Sequence, residues 1–184
     1  MTVGLFGGSF DPVHAGHRHV AQTALKQLGL DRVWWIVSPQ NPLKSHQAGD
    51  YSRRFVSVEM AAPGPRMVIS DIEKRTAIRT TAELLNVLNK RYPKVHFVWI
   101  MGADNLKQFH RWRRWREIAA STPIAIIARP QDPIRARLSP AARGMAGSRI
   151  AESHAKLIAR RRVPGWTYLT EPLHSEASSQ MRDT

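Results

Sequence analysis

Residues 7–17, Gly-Gly-Ser-Phe-Asp-Pro-Val-His-Ala-Gly-His, gather the residue types that could hold a phosphorylated ligand. Gly7 and Gly8 let the backbone come close to a ligand and take positive φ where that is needed. Pro12 stiffens the bend and biases Asp11 away from helix. His14 and His17 stand three apart at the start of a helical pattern, so both rings can lie on the same side. A short apolar run, Val3-Gly4-Leu5-Phe6, precedes the string and reads as a buried strand; a helical pattern over 15–28 follows it. Strand, Gly-rich bend and helix start together make an anion site, with free N–H groups and the positive end of the helix facing the ligand. No Gly-Lys-Ser/Thr follows, which excludes a Walker A loop. The glycines at 4, 7, 8 and 16 do not fall into the dinucleotide fingerprint. No third ligand stands at compact metal spacing from the two histidines. A tight turn carrying two surface histidines is the plain alternative.

The elements that must position this string follow from apolar periodicity. Strands are expected at 2–6, 32–37, 66–70, 95–101, 124–128 and 166–169, and helices at 15–28, 51–61, 79–90, 111–119 and 148–161. Short, continuously apolar strands alternating with helices imply an α/β, doubly wound, Rossmann-like parallel sheet covered on both faces. Ligands on such sheets bind beyond the carboxyl ends of the strands, near the switch point. The chemistry-bearing residues fall on those ends: the 7–17 string, Ser38–Lys44, Asp71-Ile72-Glu73 with Thr80-Thr81 after it, Gly102–Asn105, Arg129-Pro130 and Ser175–Arg182. Residues 131–147 read as an irregular excursion from the core.

The 184 residues are expected to form one domain, with enough chain to bury a core without staples. Absence of cysteine excludes disulfides and thiolate metal sites, and suits a reducing compartment. No apolar run approaches the ~20 residues of a membrane span, and no leader pattern precedes the first strand, so a cytoplasmic protein is expected. The net charge of +14 is concentrated in two stretches. Residues 129–162 hold nine Lys/Arg against Asp132 and Glu152, and His110–Arg116 interleaves arginines with Trp112 and Trp115. Such clusters could bind nucleic acid, could be the solvated flank of an amphipathic helix, or could supply a positive field for anionic substrates. Specific nucleic-acid binding is not expected; oligomerisation is left open.

The string G-x-F-D-P-x-H-x-G-H resembles the signature of the nucleotidyltransferase superfamily of adenylyl- and cytidylyltransferases. That resemblance implies that His14 and His17 are catalytic and hold the triphosphate while its α-phosphate is attacked. Gly7, Gly8, Ser9, Phe10 and Gly16 would pack on the nucleotide. Over nearly the whole chain, Pro39–Lys44, Asp71–Glu73, Gly102–Leu106 with Phe109 and Trp112, and Arg129-Pro130 are similar to bacterial nicotinate-nucleotide adenylyltransferases. The family pattern puts Trp112 on the pyridine ring, with amides near Trp112–Arg113 and the region of Thr81 receiving the nicotinate carboxylate. A flat cationic pyridinium suits a tryptophan face; the plain alternative for Trp112 is a core aromatic of an amphipathic helix. Lys44 and Arg129 would meet phosphate, or be solvated loop charges. Gly102 and Asp104 would serve the nucleotide, Asp104 accepting a ribose hydroxyl or capping a helix.

The chain end departs from the family's Ser-Ser-Thr-x-Ile-Arg. Ala177-Ser178-Ser179-Gln180-Met181-Arg182 loses the first hydroxyl but keeps Ser178, Ser179 and Arg182, which would cradle the triphosphate. The segment 79–84 also lacks the family's Tyr-Thr. The resemblance implies adenylyl transfer from ATP to nicotinate mononucleotide, with Mg²⁺ carried on the ATP phosphates and no protein ligand for the metal identified. Phosphopantetheine adenylyltransferases typically carry Thr at the position of His14, and cytidylyltransferases carry a second motif absent here. A basic nucleic-acid-binding module on the same fold is the rival from another class.

Overall fold

Short runs of β-branched and aromatic residues become strands, the central ones buried on both sides. The structure is a computed structural model describing residues 1–39, 48–62, 64–128, 133–160 and 163–170. In chain order the elements are β1 (Thr2–Gly8), α1 (Ala15–Gln27), β2 (Arg32–Val37), α2 (Tyr51–Ala61) and β3 (Met67–Ser70). Then come α3 (Ile72–Thr76), α4 (Thr81–Arg91), β4 (His96–Gly102), α5 (Ala103–Gln108), α6 (Trp115–Ser121) and β5 (Ile124–Ile127). The last are α7 (Pro133–Arg137), α8 (Pro140–Gly144), β6 (Arg149–Ile150) and β7 (Trp166–Leu169). Every described strand pair is parallel, and the sheet order is β3-β2-β1-β4-β5-β7-β6.

The period of two along each strand divides the core between the two faces. Val3 and Leu5 of β1, Phe97, Trp99 and Met101 of β4, and Ile124 and Ile126 of β5 pack with Leu84, Leu85 and Leu88 of α4, Leu106 of α5 and Ile118 of α6. Phe6, Val98, Ile100, Ala125 and Ile127 point the other way, onto Val20, Ala21 and Ala24 of α1, Val58 of α2 and Ile158. The strand order reverses between β1 and β4, so the ends of these neighbours, Gly8 and Gly102, border the switch-point crevice. No described helix is long and apolar enough to cross a membrane.

Three expectations fail. Residues 111–119 do not form one helix: a 3₁₀ turn ends at Arg111, Trp112 is extended (φ −71°, ψ 140°), and Arg114 is left-handed (φ 58°) before α6 begins. Residues 148–161 are not an α-helix either. Ile150 pairs with Thr167 in the sheet, and Glu152–Arg160 is a 3₁₀ run with Ala155 and Ile158 buried three apart, the period of that helix. The supposed excursion at 131–147 is tied to the core in its described part. There Ala136, Ala141 and Ala142 are buried, and the Trp166 indole donates to the Met145 carbonyl at 2.7 Å.

Candidate active site

A cavity of about 630 Å³ opens over the carboxyl ends of β1 and β4. Gly7, Gly8, Ser9, Phe10, His14 and His17 line one side, and Thr81, Trp112 and Arg113 line the other, with Gly102 and Asp104 contributing from the end of β4. Thus most of the described residues singled out from sequence face one space. Lys44, Arg129, Ser178, Ser179 and Arg182 lie outside the described residues.

The histidine pair is built by the first turn of α1. His14 is the N-cap residue, and its Nδ1 accepts the Gly16 N–H at 3.1 Å. His17 answers from inside the helix, its Nδ1 accepting the His14 N–H at 3.2 Å. Each ring replaces the hydroxyl or carboxylate of an ordinary capping box. A nitrogen that accepts carries no proton, so both neutral rings are Nε2–H tautomers. Nε2–H is then the donor each ring has to give a phosphate oxygen. The ring centroids are 3.9 Å apart, close enough to serve adjacent oxygens of one ligand. Gly16 does not line the cavity; it contributes the N–H that fixes His14.

Gly7 and Gly8 line the cavity as expected, but without the left-handed backbone that glycine permits. Neither Gly7 nor Gly8 has positive φ; Phe10 carries it instead, at 46°. A side chain at Gly7 would meet the Trp99 ring at 2.5 Å, so that glycine is needed for close approach. Phe10 is held in its unfavourable conformation by burial, its ring packed on Phe6, Trp35 and His17 at centroid distances of 5.1–5.4 Å. Such a conformation costs about 1–3 kcal/mol and persists only where packing over-determines it.

On the opposite side, Trp112 is half-buried and meets Phe109 and Trp99 edge-on, at 5.4 and 6.2 Å. The two sequence readings of Trp112 therefore coincide: it packs on the core and still lines the cavity. Its own amide is spent on the Phe109 carbonyl at 2.9 Å, which removes it as a carboxylate donor. The Arg113 amide has no such bond among the described residues. Thr80 caps α4, its hydroxyl accepting the Glu83 N–H at 3.3 Å, and Thr81 opens the helix at the cavity wall. The positive end of α4 therefore faces the ligand space. Gly102, not Asp104, is the N-cap residue of α5, and Asp104 lines the cavity from the first turn of that helix.

Asp11, Glu73 and Asp104 are acidic residues that line the cavity. Asp11 accepts the Gly49 N–H at 2.8 Å, and buried Glu73 accepts the Ser38 hydroxyl at 2.6 Å. Burial pushes the Glu73 carboxyl above its ordinary range, with the Ser38 bond acting against that rise. Burial and the nearby Asp71 charge push the Tyr51 hydroxyl up to about 12. Among the described residues no group of three or more His, Cys, Asp or Glu could hold a metal ion.

Sequence reasoning missed Arg54, whose guanidinium is buried behind the 7–17 loop and donates only to backbone carbonyls among the described residues. The available signal was its place in the apolar register of α2, between Tyr51 and Val58.

The cytidylyltransferase-like family profile matches residues 5–181. A protein of Roseobacter denitrificans named probable nicotinate-nucleotide adenylyltransferase is 48% identical over 98% of this chain and 91% of its own length. One of the same name from a Caulobacter species is 50% identical over 99% and 97%. Among solved structures, the nicotinic acid mononucleotide adenylyltransferase of Plasmodium falciparum complexed with NaAD shares the fold, at TM-score 0.67 and 17% identity, covering 95% of this chain and 77% of that one. With the histidine pair, the β1–β4 crevice and Trp112 in one cavity, and half of all residues shared with such relatives, the chain belongs to the nicotinate-nucleotide adenylyltransferase family.

Proposed function

We infer that this protein transfers the adenylyl group of ATP to nicotinate mononucleotide, giving nicotinate adenine dinucleotide and pyrophosphate. One observation carries the reading. Two histidines locked as Nε2 donors share a cavity with an aromatic ring and a helix N-terminus suited to a pyridine carboxylate.

An oxygen of the acceptor phosphate bonds to the α-phosphorus, the bond from that phosphorus to the bridging oxygen breaks, and pyrophosphate leaves with the electron pair. The attacking oxygen is already anionic at neutral pH, so no general base is needed. The protein positions the two phosphates and stabilises charge. His14 and His17 donate to the triphosphate, the 7–10 loop shapes its seat, and Ser178, Ser179 and Arg182 complete the cradle. Asp104 takes a ribose hydroxyl. Trp112 stacks on the pyridine, the α4 start at Thr81 and the Arg113 amide take the carboxylate, and Lys44 and Arg129 take the acceptor phosphate. Mg²⁺, if held through the ATP phosphates, would supply charge neutralisation there; no residue of this chain is assigned as its ligand. The excess of basic residues raises the encounter rate of two anionic substrates, without specific nucleic-acid recognition. The cytoplasm, where ATP is abundant, is the compartment this chemistry fits.

The test is pyrophosphate release with ATP and, in turn, nicotinate mononucleotide, nicotinamide mononucleotide and phosphopantetheine. The carboxamide puts an NH₂ against a donor, and each unmet buried group costs ~1–3 kcal/mol. Two such contacts give kcat/KM favouring the acid by roughly 10²–10⁴. Equal values for acid and amide would remove the acid-specific reading.

A further inference from the structure

Helix α2 turns Val58 into the core and packs Phe55 against it. An apolar residue is the ordinary occupant of a buried position in that register, such as position 54. The sequence instead places an arginine there, 5% exposed. A buried charge is retained only where it is paired or fully hydrogen-bonded. Four bonds answer for Arg54: Nε donates to the Gly49 carbonyl at 2.9 Å, Nη1 to those of Ser9 at 2.6 Å and Ser38 at 2.9 Å, and Nη2 to that of Pro39 at 2.9 Å.

These carbonyls belong to three separate stretches of backbone. Ser9 lies in the loop leaving β1, Ser38 and Pro39 leave β2, and Gly49 precedes α2. Two further bonds reinforce the same junction, from the Ser38 N–H to the Gly8 carbonyl and from the Gly49 N–H to Asp11. A planar fork of five N–H groups can span such a set in one plane, and a lysine ammonium cannot.

Resting on the adenylyltransferase reading above, we propose that Arg54 is a positioning residue for the transfer step. Its guanidinium fixes the backbone of the triphosphate loop against the end of β2, and so sets where the α-phosphorus stands relative to the attacking oxygen. It touches neither substrate. Each nucleotide also has contacts on other elements, so losing this brace misaligns the reacting atoms more than it weakens binding of either partner.

The experiment compares wild type, R54K and R54A, assayed well below each variant's Tm with the folded fraction checked by circular dichroism. ATP and nicotinate mononucleotide are each titrated alone by calorimetry. The expected result is a fall in kcat of about 100-fold in both variants, the scale of a 1 Å misplacement, while both Kd values stay within about fivefold of wild type. Guanidinium ion at low millimolar concentration restores part of kcat to R54A, and methylammonium ion does not. Wild-type kcat in folded R54K, or Kd values that rise in step with the loss of rate, would overturn the proposal. Failure of both variants to fold would overturn it too, leaving Arg54 a stability residue. A wild-type protein inert towards nicotinate mononucleotide would instead defeat the functional reading, before any variant is compared.

Discussion

The wall of the cleft formed by β1 and α1 holds its side chains through backbone hydrogen bonds, whereas the wall formed by α4 and residues 109–118 holds its ring by packing. His14 and His17 are each tied to a main-chain N–H, and the loop beneath them is braced by Arg54. Trp112 has edge-on contacts to Phe109 and Trp99, next to a left-handed residue at Arg114. Hydrogen bonds fix direction and tautomer, which a phosphate transition state demands. Ring packing fixes a plane while tolerating small shifts, which suffices for stacking a pyridine. On the proposed reading, the directional bonds sit where charge would move, and the ring packing where a flat ligand would only be held.

The largest effect should come from the rigid wall. His14→Ala or His17→Ala should lower kcat by ~10²–10³, the equivalent of about 2.7–4 kcal/mol at a charge-stabilising donor. Each also removes a cap acceptor, which costs ~1 kcal/mol of stability. His14→Asn separates the two roles. An Asn oxygen can accept the Gly16 N–H in place of Nδ1, so Tm should recover, while the lost Nε2–H should keep the rate low. Near-normal turnover in the folded Asn variant would reduce His14 to a cap and dissolve the contrast between the walls.

A smaller effect is expected from the packed wall. Trp112→Ala removes a stack worth about 1–2 kcal/mol for a cationic ring. Values of kcat/KM for nicotinate and nicotinamide mononucleotides should fall together by roughly 5–30-fold, with their ratio nearly unchanged. The pyridine face is common to both, so only the amide donors discriminate. A changed ratio would show that Trp112 also orders the carboxylate site, making this wall as directional as the other.

What the sequence made readable divides along the same line. Strands 32–37 and 166–169 and the helix 51–61 appear with the expected bounds, because continuous apolar runs and a 3.6 period are local signals. The histidine pair was readable for the same reason: a bend and a helix start are contiguous. Residues 111–119 were misread because Trp112, Trp115, Ile118 and Ala119 satisfy helical spacing even though the backbone turns at 112–114 to bring the Trp112 ring to the cavity. The two-residue β6 is visible only through its partner β7. Arg54 left little trace, since a side chain that bonds backbone carbonyls constrains the identity of no other residue.

The smallest effect concerns Glu73, joined to the rigid wall through the Ser38 hydroxyl at 2.6 Å. Burial raises its folded pKa above the ordinary 4.5. Below that ordinary value the carboxyl is protonated whether the chain is folded or not, and Glu73 carries no penalty. As pH rises, the unfolded chain ionises first, so the stability present at low pH is lost until pH passes the raised folded value. Glu73→Gln keeps the shape and an oxygen to accept from Ser38, but does not titrate. The Tm of this variant should match wild type near about pH 4 and exceed it at neutral pH, with the gap opening only across the interval between the two pKa values. Thermal melts of both proteins across that range read the gap directly. A variant less stable than wild type at neutral pH would mean that the bond from Ser38 to an ionised carboxylate outweighs its burial. The rigid wall would then gain strength from that charge, as it does from the guanidinium of Arg54.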